Sequence, residues 1–124
     1  MEPVILVVDD EPVIRVLAKR FLERSGYRAM DAGSGAEALN VLRQKPCNIA
    51  LLLTDIVMPG ISGIELAQEA RTVRPALPVV FMSGYSSRLP DSDARYPCLQ
   101  KPFKRQELVR LVADALASKT KAAH

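Results

Sequence analysis

The stretch that decides the fold lies near the amino terminus and reads Val4-Ile5-Leu6-Val7-Val8-Asp9-Asp10. Its first five residues are all apolar, whereas a strand with one solvated face alternates apolar and polar residues. The run therefore predicts a parallel strand that is covered on both faces. The acidic pair that follows places two carboxylates at the carboxyl end of this strand.

Residues 12–25 change to a helical period. Pro12 suits a first helical turn, and Gly26 is placed to end the helix in a left-handed conformation. The spacing predicts one inward stripe, formed by Val13, Ile14, Leu17, Ala18, Phe21 and Leu22.

Capping signals mark the next two helices. Ser34 with Glu37 predicts a capping box at the start of a helix that runs to residue 45, before Pro46. Ser62 with Glu65 predicts a second capping box for the following helix.

The remaining apolar segments complete an alternation of strands and helices. Further strands are expected at residues 27–32, 49–54, 77–82 and 98–100, and a terminal amphipathic helix is marked by Leu108, Leu111, Val112, Ala115 and Leu116. This order predicts an α/β fold, a doubly wound parallel sheet with helices on both faces. Residues 84–97 contain two prolines and little apolar periodicity, so at most one or two helical turns are expected there.

Length and composition limit the class of protein. The 124 residues, 48% of them hydrophobic and 25% charged, predict one globular domain over 1–124, with a core at about 4–117 and a polar tail over 118–124. No apolar run is long enough to cross a bilayer, so a soluble protein is expected. The net charge of +3 is scattered and aromatic residues make up only 5%, which argues against nucleic-acid binding. The two cysteines have no metal-ligand spacing, which favours a cytoplasmic location.

A polar residue closes four of the five predicted strands. These residues are Asp9 with Asp10, Asp55, Ser83 and Lys101. Ligands of an open parallel sheet gather at the carboxyl ends of its strands, where these side chains would meet. Three carboxylates at that edge repel one another unless a hard divalent cation lies among them, and Mg²⁺ is the natural candidate.

The same edge offers groups for phosphoryl transfer. Lys101 supplies a positive charge for an oxyanion, and Ser83 supplies a small hydroxyl donor. Asp55 stands alone after a buried strand and is the best-placed nucleophile for phosphorylation, with a metal neutralising the charge on the transferring group.

Four motifs carry a family resemblance. They are Val7-Val8-Asp9-Asp10-Glu11, Leu53-Thr54-Asp55-Ile56-Val57-Met58-Pro59-Gly60, Met82-Ser83-Gly84-Tyr85 and Leu99-Gln100-Lys101-Pro102-Phe103. Together, over residues 4–117, the chain resembles the receiver domain of bacterial two-component response regulators. The third and fourth motifs look most like receivers attached to hybrid sensor kinases.

The resemblance implies a flavodoxin-like sheet of strand order 2-1-3-4-5 and a phosphorylation switch. Asp55 would accept a phosphoryl group from a histidine kinase or a phosphotransfer histidine. Mg²⁺ would be held by Asp10, Asp55 and the backbone carbonyl of Val57, with Asp9 reaching it through water.

The resemblance also implies roles for the last two motifs. Ser83 would move to bind the phosphoryl group and Lys101 would pair with it, and the Lys101–Pro102 peptide bond is often cis in the family. The output would be an altered protein-interaction surface on this domain, and its partner would be a downstream protein or a tethered domain.

Two positions depart from the family pattern. Cys98 stands where many receivers carry an aromatic ring that swings inward, and a cysteine cannot act as that ring. Lys101 follows Ser83 by 18 residues, shorter than the expected interval by about one helical turn. Both departures fall around the short or degraded fourth-helix region.

Two other classes share some of these features. Asp-nucleophile phosphohydrolases place a second Asp two residues after the nucleophile, where this chain has Val57, which cannot transfer a proton. A degenerate receiver would act only as an interaction module, and retention of all five polar residues speaks against it. We therefore expect a switch without a turnover substrate, and slow loss of its phosphoryl group because neither Val57 nor Tyr85 orients a hydrolytic water.

Overall fold

The structure is a computed structural model that describes residues 3–44, 48–84 and 97–122, with side chains described as far as residue 117. Five parallel strands form one sheet in the order β2-β1-β3-β4-β5, which confirms the predicted order. The strands are β1 Val4–Val8, β2 Arg28–Ala32, β3 Ile49–Asp55, β4 Val79–Ser83 and β5 Cys98–Gln100. The helices are α1 Pro12–Arg24, α2 Gly35–Arg43, α3 Gly63–Val73 and α4 Arg105–Ala122. None of these helices, in the described part of the chain, is both long and apolar enough to cross a membrane.

The central strand β1 is covered on both faces, as its composition predicts. Leu6 and Val8 pack with residues of α2 and α3 on one face of the sheet. Ile5 and Val7 pack on the other face with residues of α1 and α4. Every residue of β1 is buried, so the two apolar layers explain why this strand has no polar position.

The second predicted capping box is complete and the first is not. Ser62 accepts from the Glu65 amide at 3.1 Å, and the Glu65 carboxylate accepts from the Ser62 amide at 3.1 Å. Ser34 likewise accepts from the Glu37 amide, at 3.2 Å. The Glu37 carboxylate, however, reaches one residue further back and accepts from the amide of Gly33 at 2.9 Å.

The predicted inward stripe of α1 is wrong at Val13. Ala18 and Leu22 are fully buried on the inner face, whereas Val13 is 76% exposed. Val13 precedes Leu22 by about two and a half turns at 3.6 residues per turn, so the two side chains leave opposite faces of the helix. Gly26 has a φ of +92° and follows the end of α1 as predicted.

Element boundaries differ from the expectations by a few residues. β4 begins at Val79 rather than at residue 77, because the Leu77 amide closes a turn onto the carbonyl of Arg74 at 3.0 Å. The backbone of α4 continues to Ala122, into the segment expected to be a polar tail. The short helix expected between β4 and β5 falls on residues outside the described ranges, as does the predicted stop at Pro46.

Two glycines allow close contacts around the loop that follows β3. A Cβ atom at Gly63 would overlap the main-chain oxygen of Asp55, and one at Gly35 would overlap Cγ1 and Cδ1 of Ile61. The atoms that a Cβ at position 63 would meet belong to the backbone and cannot be removed by substitution. Those that a Cβ at position 35 would meet belong to the Ile61 side chain, which a substitution can shorten. The β3–α3 loop is therefore seated against α2 through Ile61.

We expect Gly35→Ala to lower the free energy of unfolding by about 2 kcal/mol, because the added methyl group overpacks the contact with Ile61. Ile61→Ala in the same chain should recover part of this loss, because it removes the two atoms that the new methyl group meets. Urea unfolding of the wild type, both single variants and the double variant measures the coupling.

Gly63→Ala is the matched comparison. It should cost at least as much stability, and Ile61→Ala should add to that cost rather than relieve it. Strictly additive effects at positions 35 and 61 would contradict the packing described here.

Candidate functional site

Asp9 is fully buried at the end of β1, and each of its carboxylate oxygens has a partner. Oδ1 accepts from the Glu11 amide at 2.9 Å. Oδ2 accepts from Lys101 Nζ at 2.8 Å. The main-chain amide of Asp9 donates to the Ala32 carbonyl at 3.3 Å, which continues the pairing of β1 with β2. The carboxylate is thus held in one position at the edge of the sheet.

Asp55 closes β3 beside Asp9 and is only 6% exposed. Its Oδ1 accepts from the Ile56 amide at 3.0 Å and lies 3.4 Å from Lys101 Nζ. Burial raises the pKa of the Asp55 carboxyl group, and the charge of Asp9 raises it further against the opposing effect of Lys101. The ionised carboxylate is therefore short of compensating positive charge.

Lys101 follows β5 and reaches back to both aspartates. Its Nζ also lies 3.8 Å from Oε1 of Glu11, and its side chain is 14% exposed. Burial alone would lower the pKa of Lys101, but the hydrogen bond and charge of Asp9, together with Asp55, outweigh burial and raise it. Lys101 is a fixed cation at this site. The Lys101–Pro102 peptide bond is cis, as the family resemblance implied.

The structure brings the three predicted carboxylates together. One oxygen from each of Asp9, Asp10 and Asp55 lies within 4.8 Å of the others. Asp9 and Asp55 are buried, and Asp10 is exposed at the mouth of the cluster. Hard carboxylate oxygens at this separation, with one open side, fit Mg²⁺, which prefers oxygen ligands and retains some of its waters.

Ser83 and Val57 lie at neighbouring strand ends. Ser83 is buried at the end of β4, and its carbonyl accepts from the Lys101 amide at 2.8 Å. Its hydroxyl donates to the carbonyl of Gly84 at 3.1 Å. Val57 follows Asp55 by two residues and is 64% exposed. The phosphoryl-binding role of Ser83 and the metal-binding role of the Val57 carbonyl stay predictions.

Cys98, which departs from the family pattern, lies close to the Ser83 side chain. Burial raises the pKa of the Cys98 thiol, and a hydrogen bond with the Ser83 side chain opposes that shift. The residue at the usual aromatic position therefore interacts with the hydroxyl group predicted to move. Tyr85 and Cys47 lie outside the described ranges.

Arg15, a residue of α1 that no sequence motif singled out, lies against the site. Its Nη1 donates to the main-chain oxygen of Asp9 at 2.7 Å, and its Nε donates to Asp31 Oδ2 at 3.1 Å. Asp31 lies in β2 in register with Val7, two residues before Asp9. The sequence contained a signal for this contact, because an acidic residue in β2, such as Asp31, can pair with a basic residue near the start of α1, such as Arg15.

Comparison with known proteins identifies the family. The model of the response regulator receiver domain matches residues 5–113. The chain belongs to the response regulator receiver domain family.

Two curated relatives and one solved structure illustrate the similarity. The chain is 39% identical over 120 residues to the response regulator receiver protein CpdR of Brucella abortus, covering 94% of this chain and 98% of CpdR. It is 33% identical over 116 residues to the sensor kinase CckA of Brucella abortus, covering 90% of this chain but only 12% of CckA. The crystal structure of the receiver domain from the hybrid histidine kinase CckA superposes with a TM-score of 0.78 at 35% identity, covering 91% of this chain and 98% of that domain. The predicted similarity to receivers of hybrid kinases is confirmed.

Two aspartates of this region should respond oppositely to pH. Ionisation of Asp55 destabilises the folded state because its pKa is raised above 3.8, so this penalty grows as the pH rises from 3.8 through the raised value. Burial alone would raise the pKa of Asp31. The hydrogen bonds and charges of Lys19 and Arg15 outweigh burial and lower this pKa below 3.8. The ionised form of Asp31 therefore stabilises the fold at every pH above 3.8.

We expect Asp55→Asn to raise the free energy of unfolding at pH 7, and Asp31→Asn to lower it. Between pH 7 and pH 4 the advantage of Asp55→Asn should shrink, while the loss in Asp31→Asn should stay constant. Urea unfolding in the presence of a chelator measures both. The same sign of effect for the two variants at pH 7 would refute the electrostatic account.

Proposed function

We propose that the chain is a phospho-acceptor switch in which Asp55 receives a phosphoryl group from a histidine kinase or a phosphotransfer protein. One observation carries the proposal: the buried carboxylate of Asp55 lies 3.4 Å from the fixed cation Lys101, and one oxygen from it lies within 4.8 Å of oxygens of two further carboxylates, a set that suits Mg²⁺. Family membership supports it, because receiver domains act in two-component signalling.

In the proposed reaction a carboxylate oxygen of Asp55 attacks the phosphorus of a phosphohistidine. The bond between phosphorus and the histidine nitrogen breaks as the bond to the Asp55 oxygen forms. Asp10, Asp55 and the carbonyl of Val57 would hold Mg²⁺, with Asp9 acting through water. When bound, the ion supplies positive charge that neutralises the transferring group.

Lys101 and Ser83 stabilise the product in this proposal. Lys101 Nζ already lies between Asp9 and Asp55, so it pairs with a new phosphoryl oxygen without leaving the site. The Ser83 hydroxyl exchanges its hydrogen bond to Gly84 for one to the phosphoryl group. These contacts exist only in the phosphorylated state and shift the balance of inactive and active conformations by a few kcal/mol.

The output of the switch is a changed protein-interaction surface on this domain, and its partner is a downstream protein or a tethered domain. We infer no direct binding to nucleic acid or insertion into a membrane, and we infer a cytoplasmic location, where the phosphodonor kinase domain and Mg²⁺ are available. The relatives differ greatly in length, so the partners of one relative do not predict those of this chain.

A turnover phosphohydrolase is the less favoured function. Such an enzyme needs an acid–base group beside its nucleophile. The position two residues after Asp55 is Val57, whose side chain carries no proton to donate. We propose that the chain catalyses only its own phosphorylation and dephosphorylation.

We expect Asp55→Asn to abolish acid-stable, base-labile labelling by a small phosphodonor in the presence of Mg²⁺, because an asparagine amide cannot attack phosphorus to form an acyl phosphate. Intact-mass measurement detects the label. Asp114→Asn, which removes an exposed carboxylate on α4, is the matched control and should label like the wild type.

Three outcomes separate the functions. Mg²⁺-dependent, lasting label on the wild type supports the switch. Release of phosphate over many turnovers supports a phosphohydrolase, and absence of any label supports an interaction module. Undiminished labelling of Asp55→Asn would rule out the assignment of the acceptor.

We also expect slow self-dephosphorylation, because the exposed Val57 side chain cannot orient a hydrolytic water at the mouth of the site. Val57→Gln should shorten the lifetime of the label, since an amide can hydrogen-bond that water, whereas Val57→Leu should leave the lifetime unchanged. Decay of the label in purified protein after removal of the phosphodonor measures both. Equal lifetimes for the Gln and Leu variants would contradict this explanation.

A further inference from the structure

We propose that Arg15 is a positioning residue that holds the aspartate pair at the end of β1 in the geometry that binds Mg²⁺. The inference concerns the same site and rests on the proposed function.

The first argument is the contact itself. Arg15 Nη1 donates to the main-chain oxygen of Asp9 at 2.7 Å, while Nε of the same guanidinium donates to Asp31 Oδ2 at 3.1 Å. The planar fork of arginine presents several donors in fixed directions, so it can satisfy both oxygens at once. The side chain is 20% exposed, which places this contact at the margin of the site rather than in open solvent.

The second argument is which peptide group Arg15 holds. The carbonyl of Asp9 belongs to the peptide bond that joins Asp9 to Asp10, and that bond is planar. Fixing this carbonyl therefore fixes the plane from which the Asp10 backbone and side chain depart. One guanidinium thus orients the exposed member of the carboxylate cluster and the buried member together.

The third argument is that different elements hold different groups of Asp9. Residues outside α1 hold its carboxylate and its amide, whereas Arg15 of α1 holds its main-chain carbonyl. The carboxylate is held by Glu11 and Lys101, and the amide by Ala32. The Arg15 contact reaches the turn between β1 and α1 from α1 itself. Groups that orient metal ligands in this way affect metal affinity by about 10–100-fold when removed.

Lys19 provides a matched control within the same cluster. Its Nζ contacts Asp31 Oδ1 at 3.2 Å, so it shares the acidic partner of Arg15 and carries the same charge. Its hydrogen bond is to Asp31, which lies in β2 and not in the β1–α1 turn. Removing either positive charge should, by Coulomb's law alone, favour binding of a cation nearby. A positioning role predicts the opposite sign for Arg15.

The experiment measures Mg²⁺ affinity of the unphosphorylated chain by titration with Mg²⁺ alone, following the amide resonances of Asp10 and Ile56. We expect Arg15→Gln to weaken Mg²⁺ binding about tenfold, and Lys19→Gln to leave it unchanged or slightly tighter. Labelling by a small phosphodonor should slow in Arg15→Gln at low Mg²⁺ and recover at saturating Mg²⁺. The amide spectrum also reports whether each variant is folded.

Unchanged or tighter Mg²⁺ binding in Arg15→Gln would overturn the inference, and so would equal weakening in both variants. If Arg15→Gln does not fold, Arg15→Lys takes its place. That variant keeps the charge but loses the fork, so weaker binding supports the inference and wild-type binding overturns it. Failure of the wild type to accept label at Asp55 would overturn the proposed function separately, because Mg²⁺ affinity is measured without phosphorylation.

Discussion

The ammonium group of Lys101 lies 2.8 Å from a carboxylate oxygen of Asp9 and 3.4 Å from one of Asp55, and this arrangement decides much of the rest of the structure. Two buried carboxylates at the ends of adjacent strands repel each other and have lost hydration, so they require compensating positive charge. A single lysine supplies part of that charge from 92 residues beyond Asp9. The remaining deficit at Asp55 is the physical reason why the three carboxylates could hold a divalent cation and why we propose Asp55 as the phosphoryl acceptor.

The sheet provides the rigid base for this arrangement. Apolar layers on both faces bury β1 completely and leave its carboxyl end as the place where polar groups can emerge. The loop after β3 is seated by two glycine contacts, at Gly35 and Gly63, so the segment containing Val57 has a defined course. Ser83 is tied to the same edge of the sheet, because its carbonyl accepts from the Lys101 amide at 2.8 Å.

The relatives of this chain differ greatly in length. The chain matches nearly all of CpdR but about an eighth of CckA, which shows that the same fold occurs alone and within a larger protein. Fold and site chemistry therefore do not specify the output. In this chain the position three residues before Lys101 is Cys98, whose thiol interacts with the Ser83 side chain.

The amino-acid sequence by itself determined the alternation of strands and helices, the second capping box and the set of polar strand ends, because each depends on local periodicity or on residues a few positions apart. Tertiary structure decided which face of α1 is buried, with Ala18 and Leu22 inside, and it decided that Arg15 donates to the carbonyl of Asp9. Those outcomes depend on how α1 is rotated against the sheet and on where β2 places Asp31. Rotation and placement come from packing among residues far apart in the chain, and no local pattern encodes them.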